Sequence, residues 1–233
     1  MKKFCLFAVF ATVLILSSCA QMGRPGQKSQ TEIVWSAKDI FEGWVYHHQD
    51  TSTVYSAWLD KDTLCLATRA NTYDRTKMHT RESFGAGVYR WMTYIPALPE
   101  GDQTSVGSWI YCDDHHEIDF EVGWGKDAAR AEAGCKPGQM VACMTNQDFP
   151  FTSSYVAIDP GWHEFEINLE VKDGKYVEHW SIDGVEKKKQ AVGFGPETRF
   201  HVEVSVENLK FIGTHMATAY NVGRYQWVSY SSK

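Results

Sequence analysis

Beyond residue 32 no stretch of the chain keeps a helical period for three turns; strict alternation of apolar and polar side chains recurs instead. A strand with that pattern has one face to bury and one to leave wet, so the chain is committed to sheets that cover one another. Glu117-Ile118-Asp119-Phe120-Glu121-Val122 alternates acid with apolar. Phe165, Ile167, Leu169 and Val171 are interleaved with Glu164, Glu166, Asn168 and Glu170. Phe200, Val202, Val204 and Val206 are interleaved with His201, Glu203, Ser205 and Glu207, and Tyr225 to Tyr230 reads as a closing strand. Asp173-Gly174 and Asp183-Gly184 are hairpin-type pairs, and Asp159-Pro160-Gly161 is a further turn. The expectation is an all-β protein built as a two-sheet antiparallel sandwich, with a closed barrel as the alternative.

The 233 residues show no repeat and no low-complexity block. Apolar residues at 43% and charged residues at 22% exclude a disordered chain. A formal charge of -6 argues against nucleic acid as a partner, because phosphate binding needs a basic surface. Nine Trp residues suit a cleft that uses flat rings as sugar platforms, and equally a Trp-rich core.

The first segment reads as an address. Lys2 and Lys3 precede an apolar run from Phe4 to Leu16, shorter than the ~20 residues that span a bilayer. Leu16-Ser17-Ser18-Cys19 looks like a bacterial lipobox, in which Cys19 becomes the lipidated first residue. The expected organisation is a leader over 1–18, a lipid-bearing tether over 19–31, and one folded domain over 32–233. That puts the protein on a bacterial cell envelope, anchored rather than spanning, and monomeric. Cys65, Cys112, Cys135 and Cys143 remain in the mature chain; their spacing leaves open both disulfides, with three possible pairings, and free thiols.

The acidic strand carries the chemistry. Glu117, Asp119 and Glu121 fall at i, i+2 and i+4 and share one face. The outer two are ~13 Å apart along a strand, a gap that two Glu side chains leaning together close toward the ~5 Å of a double-displacement glycosidase. Three acids so close cannot all ionise freely, so at least one is pushed toward the pKa of a general acid. The alternatives are a solvated acidic strand or a hard-cation site, to which His115 on the same face would add a nitrogen.

At this point the chain resembles glycoside hydrolase family 16, the lichenase and laminarinase family. Glu117-Ile118-Asp119-Phe120-Glu121 matches its E-[IL]-D-x-E signature. Thr80-Arg81-Glu82-Ser83-Phe84-Gly85-Ala86-Gly87-Val88-Tyr89, Gly161-Trp162-His163-Glu164-Phe165, Trp180-Ser181-Ile182-Asp183-Gly184 and Tyr225-Gln226-Trp227-Val228-Ser229-Tyr230 resemble further family segments in the family's order. The resemblance implies a concanavalin A-like jelly roll with a concave cleft. It implies retaining hydrolysis of β-1,3 or β-1,4 links in a glucan or galactan, with Glu117 as nucleophile, Glu121 as acid/base and Asp119 assisting. Transfer to another sugar, or binding without useful turnover, are the alternatives. It implies no organic cofactor and no catalytic metal; a structural calcium is left open, with no ligand set to hold it.

The residues around the acids depart from the pattern. His115 stands where lichenase-like members often carry Trp, and Val202-Glu203-Val204-Ser205-Val206 replaces a strand that helps build the donor side. Tyr89-Arg90-Trp91-Met92 also differs from the family continuation. The substrate-binding candidates are Trp109, Arg81, His115, Asn146, Trp124 and Glu203, with His163 expected to be structural. Glu203 and His201 would form an acidic wall suited to a neutral sugar.

Overall fold

The structure is a computed structural model that describes residues 31–48 and 54–233. The expected leader, Cys19 and all of the expected tether but Thr31 lie outside the described residues. The elements are β1 (Glu32–Ser36), α1 (Ala37–Gly43), β2 (Val45–His48), β3 (Ala57–Asp60), β4 (Thr63–Thr68), β5 (Arg75–His79), β6 (Gly87–Ile95), β7 (Thr104–Asp113) and β8 (His116–Gly123). They continue with α2 (Asp127–Ala133), β9 (Met140–Asn146), β10 (Thr152–Ile158), β11 (Gly161–Lys172), β12 (Lys175–Ile182), β13 (Val185–Ala191), β14 (His201–Asn208) and β15 (Asn221–Ser232).

These strands form two antiparallel sheets. A seven-stranded front sheet runs β10-β9-β8-β7-β14-β5-β2, and the back sheet runs β13-β12-β11-β6-β15-β4-β3 with β1 also paired to β15. The sandwich read from period-2 alternation is therefore the fold, and all four alternating runs are strands. Asp173-Gly174 and Asp183-Gly184 both have positive φ at each residue and close the β11–β12 and β12–β13 hairpins. Such φ,φ pairs match the twist of the flanking strands.

Several short elements escaped the sequence reading, β5 and α2 among them. β5 is a five-residue run, Arg75-Thr76-Lys77-Met78-His79, whose alternation is plain only once its neighbours are known. The α2 helix has seven residues, fewer than the three turns at which a helical period stands out. Cys65, Cys112, Cys135 and Cys143 are all free thiols, which settles the question their spacing left open.

The core lies between the sheets and is dense in aromatics: Tyr89, Trp91, Phe120, Phe165, Trp180 and Phe200 are all fully buried. Three of its polar tips reach across to the main chain of the front sheet. Trp180 Nε1–H donates to Asp119 O at 3.3 Å and Trp91 Nε1–H to Glu203 O at 3.0 Å. The Tyr225 hydroxyl lies 2.7 Å from both Gly107 O and Ser205 O and accepts from Ser205 N–H. These contacts fix strands β8, β14 and β7 from behind, at the rows where the acidic side chains project forward.

Candidate active site

The front face of the seven-stranded sheet carries a cavity of about 660 Å³. Pairing register decides what lines it. Tyr111 lies opposite Glu117, Trp109 opposite Asp119 and Gly107 opposite Glu121 across β7–β8. On β14 the same rows hold His201, Glu203 and Ser205, and on β5 His79 lies opposite Glu203, Lys77 opposite Ser205 and Arg75 opposite Glu207. Residues on one strand face alternate with those in the core, so Ile118 and Phe120 point back into the sandwich while all three acids point forward. Gly107 is required here: a Cβ at that position would stand 2.3 Å from Ser205 Oγ and 3.1 Å from the Trp109 ring. Its missing side chain lets Ser205 Oγ and the Trp109 ring close over β7 beside Glu121.

Burial governs the electrostatics of the acids. It raises Glu117 to about 7; the hydrogen bond from Asp119 and the Lys77 ammonium pull it down, while Glu207 pushes it up. Asp119 is driven well above the carboxylate range by its own burial, then by the charges of Glu117 and Glu121. Glu121 is raised well above its ordinary value by burial and then by Glu207. All three carboxyls thus hold a proton more readily than a free carboxylate does, and Asp119 shares a hydrogen bond with Glu117.

Two cations that the sequence reading overlooked stand opposite these acids. Arg75 Nε–H donates to Glu207 Oε2 in a tight ion pair, and Lys77 Nζ lies 3.9 Å from Glu203 Oε2. The same ammonium sits 4.8 Å from the centre of the Trp109 ring and 5.8 Å from that of Tyr111. The acidic wall expected from Glu203 is thus corrected. Glu203 is buried behind Lys77 and outside the cavity lining, and the cations Arg75 and Lys77 line the cavity in front.

The other candidates separate by geometry. Trp109 lines the cavity beside the acids, with Nε1–H bonded to Ser205 Oγ at 3.2 Å and a ring face taken by Lys77. Asn146 does not reach the cavity. It pairs with Ile118, a core position, and its amide Nδ2 lies 2.6 Å from both carboxylate oxygens of buried Glu178. The cleft-facing residues of that strand are Val141, Cys143 and Thr145, the last opposite Asp119. His115 sits in the turn between β7 and β8 rather than on the acidic face, so it adds no ligand there. Arg81 is spent on Gly43 O at 3.0 Å, holding the end of α1. Trp124 lies outside the lining under the Arg130 guanidinium, 3.9 Å away. His163 is on the back sheet, bonded to Asp183 Oδ2 at 2.7 Å, as a structural residue would be. Among the described residues no group of three or more His, Cys, Asp or Glu side chains is arranged to hold a metal ion.

Solved structures share this fold. The Bacillus licheniformis β-glucanase is 14% identical with a TM-score of 0.60, over 88% of this chain and 100% of that one. A family 16 endo-glucanase from Bacteroides ovatus is 13% identical with a TM-score of 0.53, over 80% and 93%. The Crh5 transglycosylase in complex with NAG is 14% identical with a TM-score of 0.62, over 86% and 83%. The sequence matches no family model and no curated protein. At these identities the likeness is one of fold: the chain is a jelly-roll sandwich of the kind found in these glycan-active enzymes.

The Asn146–Glu178 pair beneath the cleft has a measurable consequence. Burial raises Glu178 to about 8, from an ordinary 4.5. The folded state therefore holds the proton more tightly than the unfolded chain. That contribution to stability is complete below the unfolded value and is lost as pH rises through the folded one. Glu178→Gln keeps the shape and the contact with Asn146 without the titration. The variant is expected to lose less stability between neutral pH and about pH 9 than the parent, at about 2–4 °C in thermal midpoint per kcal/mol. Thermal melts across that pH range check it.

Proposed function

We propose that this chain is a retaining endo-glycan hydrolase of glycoside hydrolase family 16, acting on β-1,3 or β-1,4 links of a glucan or galactan. The observation that carries the reading is the row Glu117, Asp119 and Glu121 on the floor of one cavity, with proton affinities raised in all three. Glu117 attacks the anomeric carbon while Glu121 gives its proton to the departing glycosidic oxygen. The resulting glycosyl ester on Glu117 is then hydrolysed by water that Glu121 deprotonates. Asp119 donates its hydrogen bond to Glu117 throughout and orients it. The experiment is release of new reducing ends from a polysaccharide panel, with Glu117→Gln as the blank. Transfer to a sugar acceptor uses the same carboxylates, and the Crh5 transglycosylase has this fold; adding an oligosaccharide acceptor and analysing product length separates the two.

The pH profile follows from the same groups. The acid limb of kcat/KM reports the Glu117–Asp119 pair and is expected near 7, with the basic limb set by Glu121 above it. Lys77 lowers the proton affinity of Glu117, so Lys77→Met raises it. Less of the nucleophile is then ionised at a given pH, and the acid limb moves to higher pH. Lys77→Arg is expected to hold the limb near its original place. Profiles of both variants test this.

We also propose that residues 1–18 are a secretory leader and that lipidated Cys19 anchors the enzyme to the bacterial envelope, supported by Leu16-Ser17-Ser18-Cys19. Cys19→Ser is expected to move the protein from the membrane pellet to the soluble fraction.

A further inference from the structure

The loop joining β9 to β10 is built to hold aromatic rings in water. Phe149 is 79% exposed and Phe151 52% exposed, whereas the aromatic side chains between the sheets are buried. Exposed rings of this size on a free loop would turn inward or move. Here the main chain is pinned on both sides. Gln147 N–H donates to Glu117 O at 3.0 Å, and Asp148 N–H to Asn146 Oδ1 at 2.6 Å. The Asp148 carboxylate accepts from Gly193 N–H, and Thr152 Oγ1 donates to Gln190 Oε1 at 3.0 Å. The loop is thus tied to the nucleophile's own strand and to the back sheet. The two rings meet edge to face, with centroids 6.2 Å apart, and His115 stands 6.4 Å from Phe151.

Phe151 lines the same cavity as Glu117, together with Gln147 and Asp114, while Phe149 is outside that lining. A flat apolar ring flanked by a planar amide and a carboxylate is complementary to a pyranose. The apolar sugar face packs on the aromatic ring, and the equatorial hydroxyls meet the polar groups at its edge.

On the reading of this cavity as a glycan site, we infer that Phe151, with Gln147 and Asp114, forms a sugar-binding subsite beside Glu117, and that Phe149 extends it for longer chains. The occupant is a pyranose ring of the same glycan that reaches the carboxylates, because the platform is continuous with their cavity. Ring–ring contacts contribute enough to change affinity about two- to tenfold.

The test uses the full mature chain carrying Glu117→Gln, so that bound sugar is not cleaved. Calorimetry measures affinity for β-1,3- and β-1,4-linked gluco-oligosaccharides and for agaro-oligosaccharides of two to eight units. Adding Phe151→Ala is expected to weaken binding about two- to tenfold, and Phe151→Tyr to preserve it. Phe149→Ala is expected to weaken only the longest chains. Equal affinity for the parent and Phe151→Ala, with sugar bound in both, overturns the subsite alone. No binding by any folded variant overturns the glycan reading itself, and the subsite with it. Loss of self-association in Phe149→Ala or Phe151→Ala, with sugar affinity unchanged, assigns the rings to a second copy and also overturns the subsite.

Discussion

Glu117→Gln is expected to reduce turnover by about 10⁴-fold or more while leaving the fold intact. The amide cannot form the glycosyl ester, and the two other acids of the same strand are not placed to replace it. Asp119 is fully buried and holds its proton, and Glu121 lies two pleats away on the other side of it. The stability consequence has the opposite sign. Glu117 is a half-buried carboxylate repelled by Glu207, so the neutral isostere removes both a desolvation cost and a like-charge contact. The thermal midpoint of the variant is expected to match or exceed that of the parent. Activity assays paired with thermal melts check both halves; a variant that loses activity together with its cooperative unfolding would place Glu117 in the scaffold instead.

Glu121→Ala is the second large effect, and its signature depends on the leaving group. Loss of a positioned general acid costs about 10²–10⁴-fold. A polysaccharide needs its departing oxygen protonated and bears the full loss. An activated aryl glycoside, whose leaving group departs as a stable anion, loses much less in the first step. Its glycosyl–enzyme then accumulates, because no base remains to activate water. Small anions such as azide fit the space that the truncated Glu121 side chain leaves in the cavity and attack without deprotonation. Azide is therefore expected to restore turnover and to yield a glycosyl azide of retained configuration. Failure of rescue, with equal losses on both substrate types, would remove Glu121 from the acid/base role.

The sheet architecture was legible because period-2 alternation has few other solutions. The acids were legible because they share one strand face, which local sequence alone determines. Legibility ended where the answer depends on what lies across the sheet. Asn146 was placed on the correct strand but on the wrong face: Met140-Val141-Ala142-Cys143-Met144-Thr145-Asn146 has no polar–apolar alternation to fix its parity, and only the register with Ile118 shows that Asn146 points inward. Glu203 could be assigned to the front face from its own strand, yet its partner Lys77 is more than a hundred residues away in sequence and comes from a strand too short to notice. Phe149 and Phe151 carry no periodic signal at all. Their importance lies in remaining exposed on an anchored loop, a property of the tertiary contacts rather than of the residues.

On the proposed function, the cavity above Glu117, Asp119 and Glu121 hydrolyses a glycan. The most direct measurement is reducing-end release by the soluble form, residues 20–233, on β-glucans, xyloglucan, agarose, porphyran and carrageenan, run beside Glu117→Gln. Release from at least one polymer, absent in the variant, is the predicted result. Release that persists undiminished in Glu117→Gln, or none on any polymer from a protein that unfolds cooperatively, would contradict it.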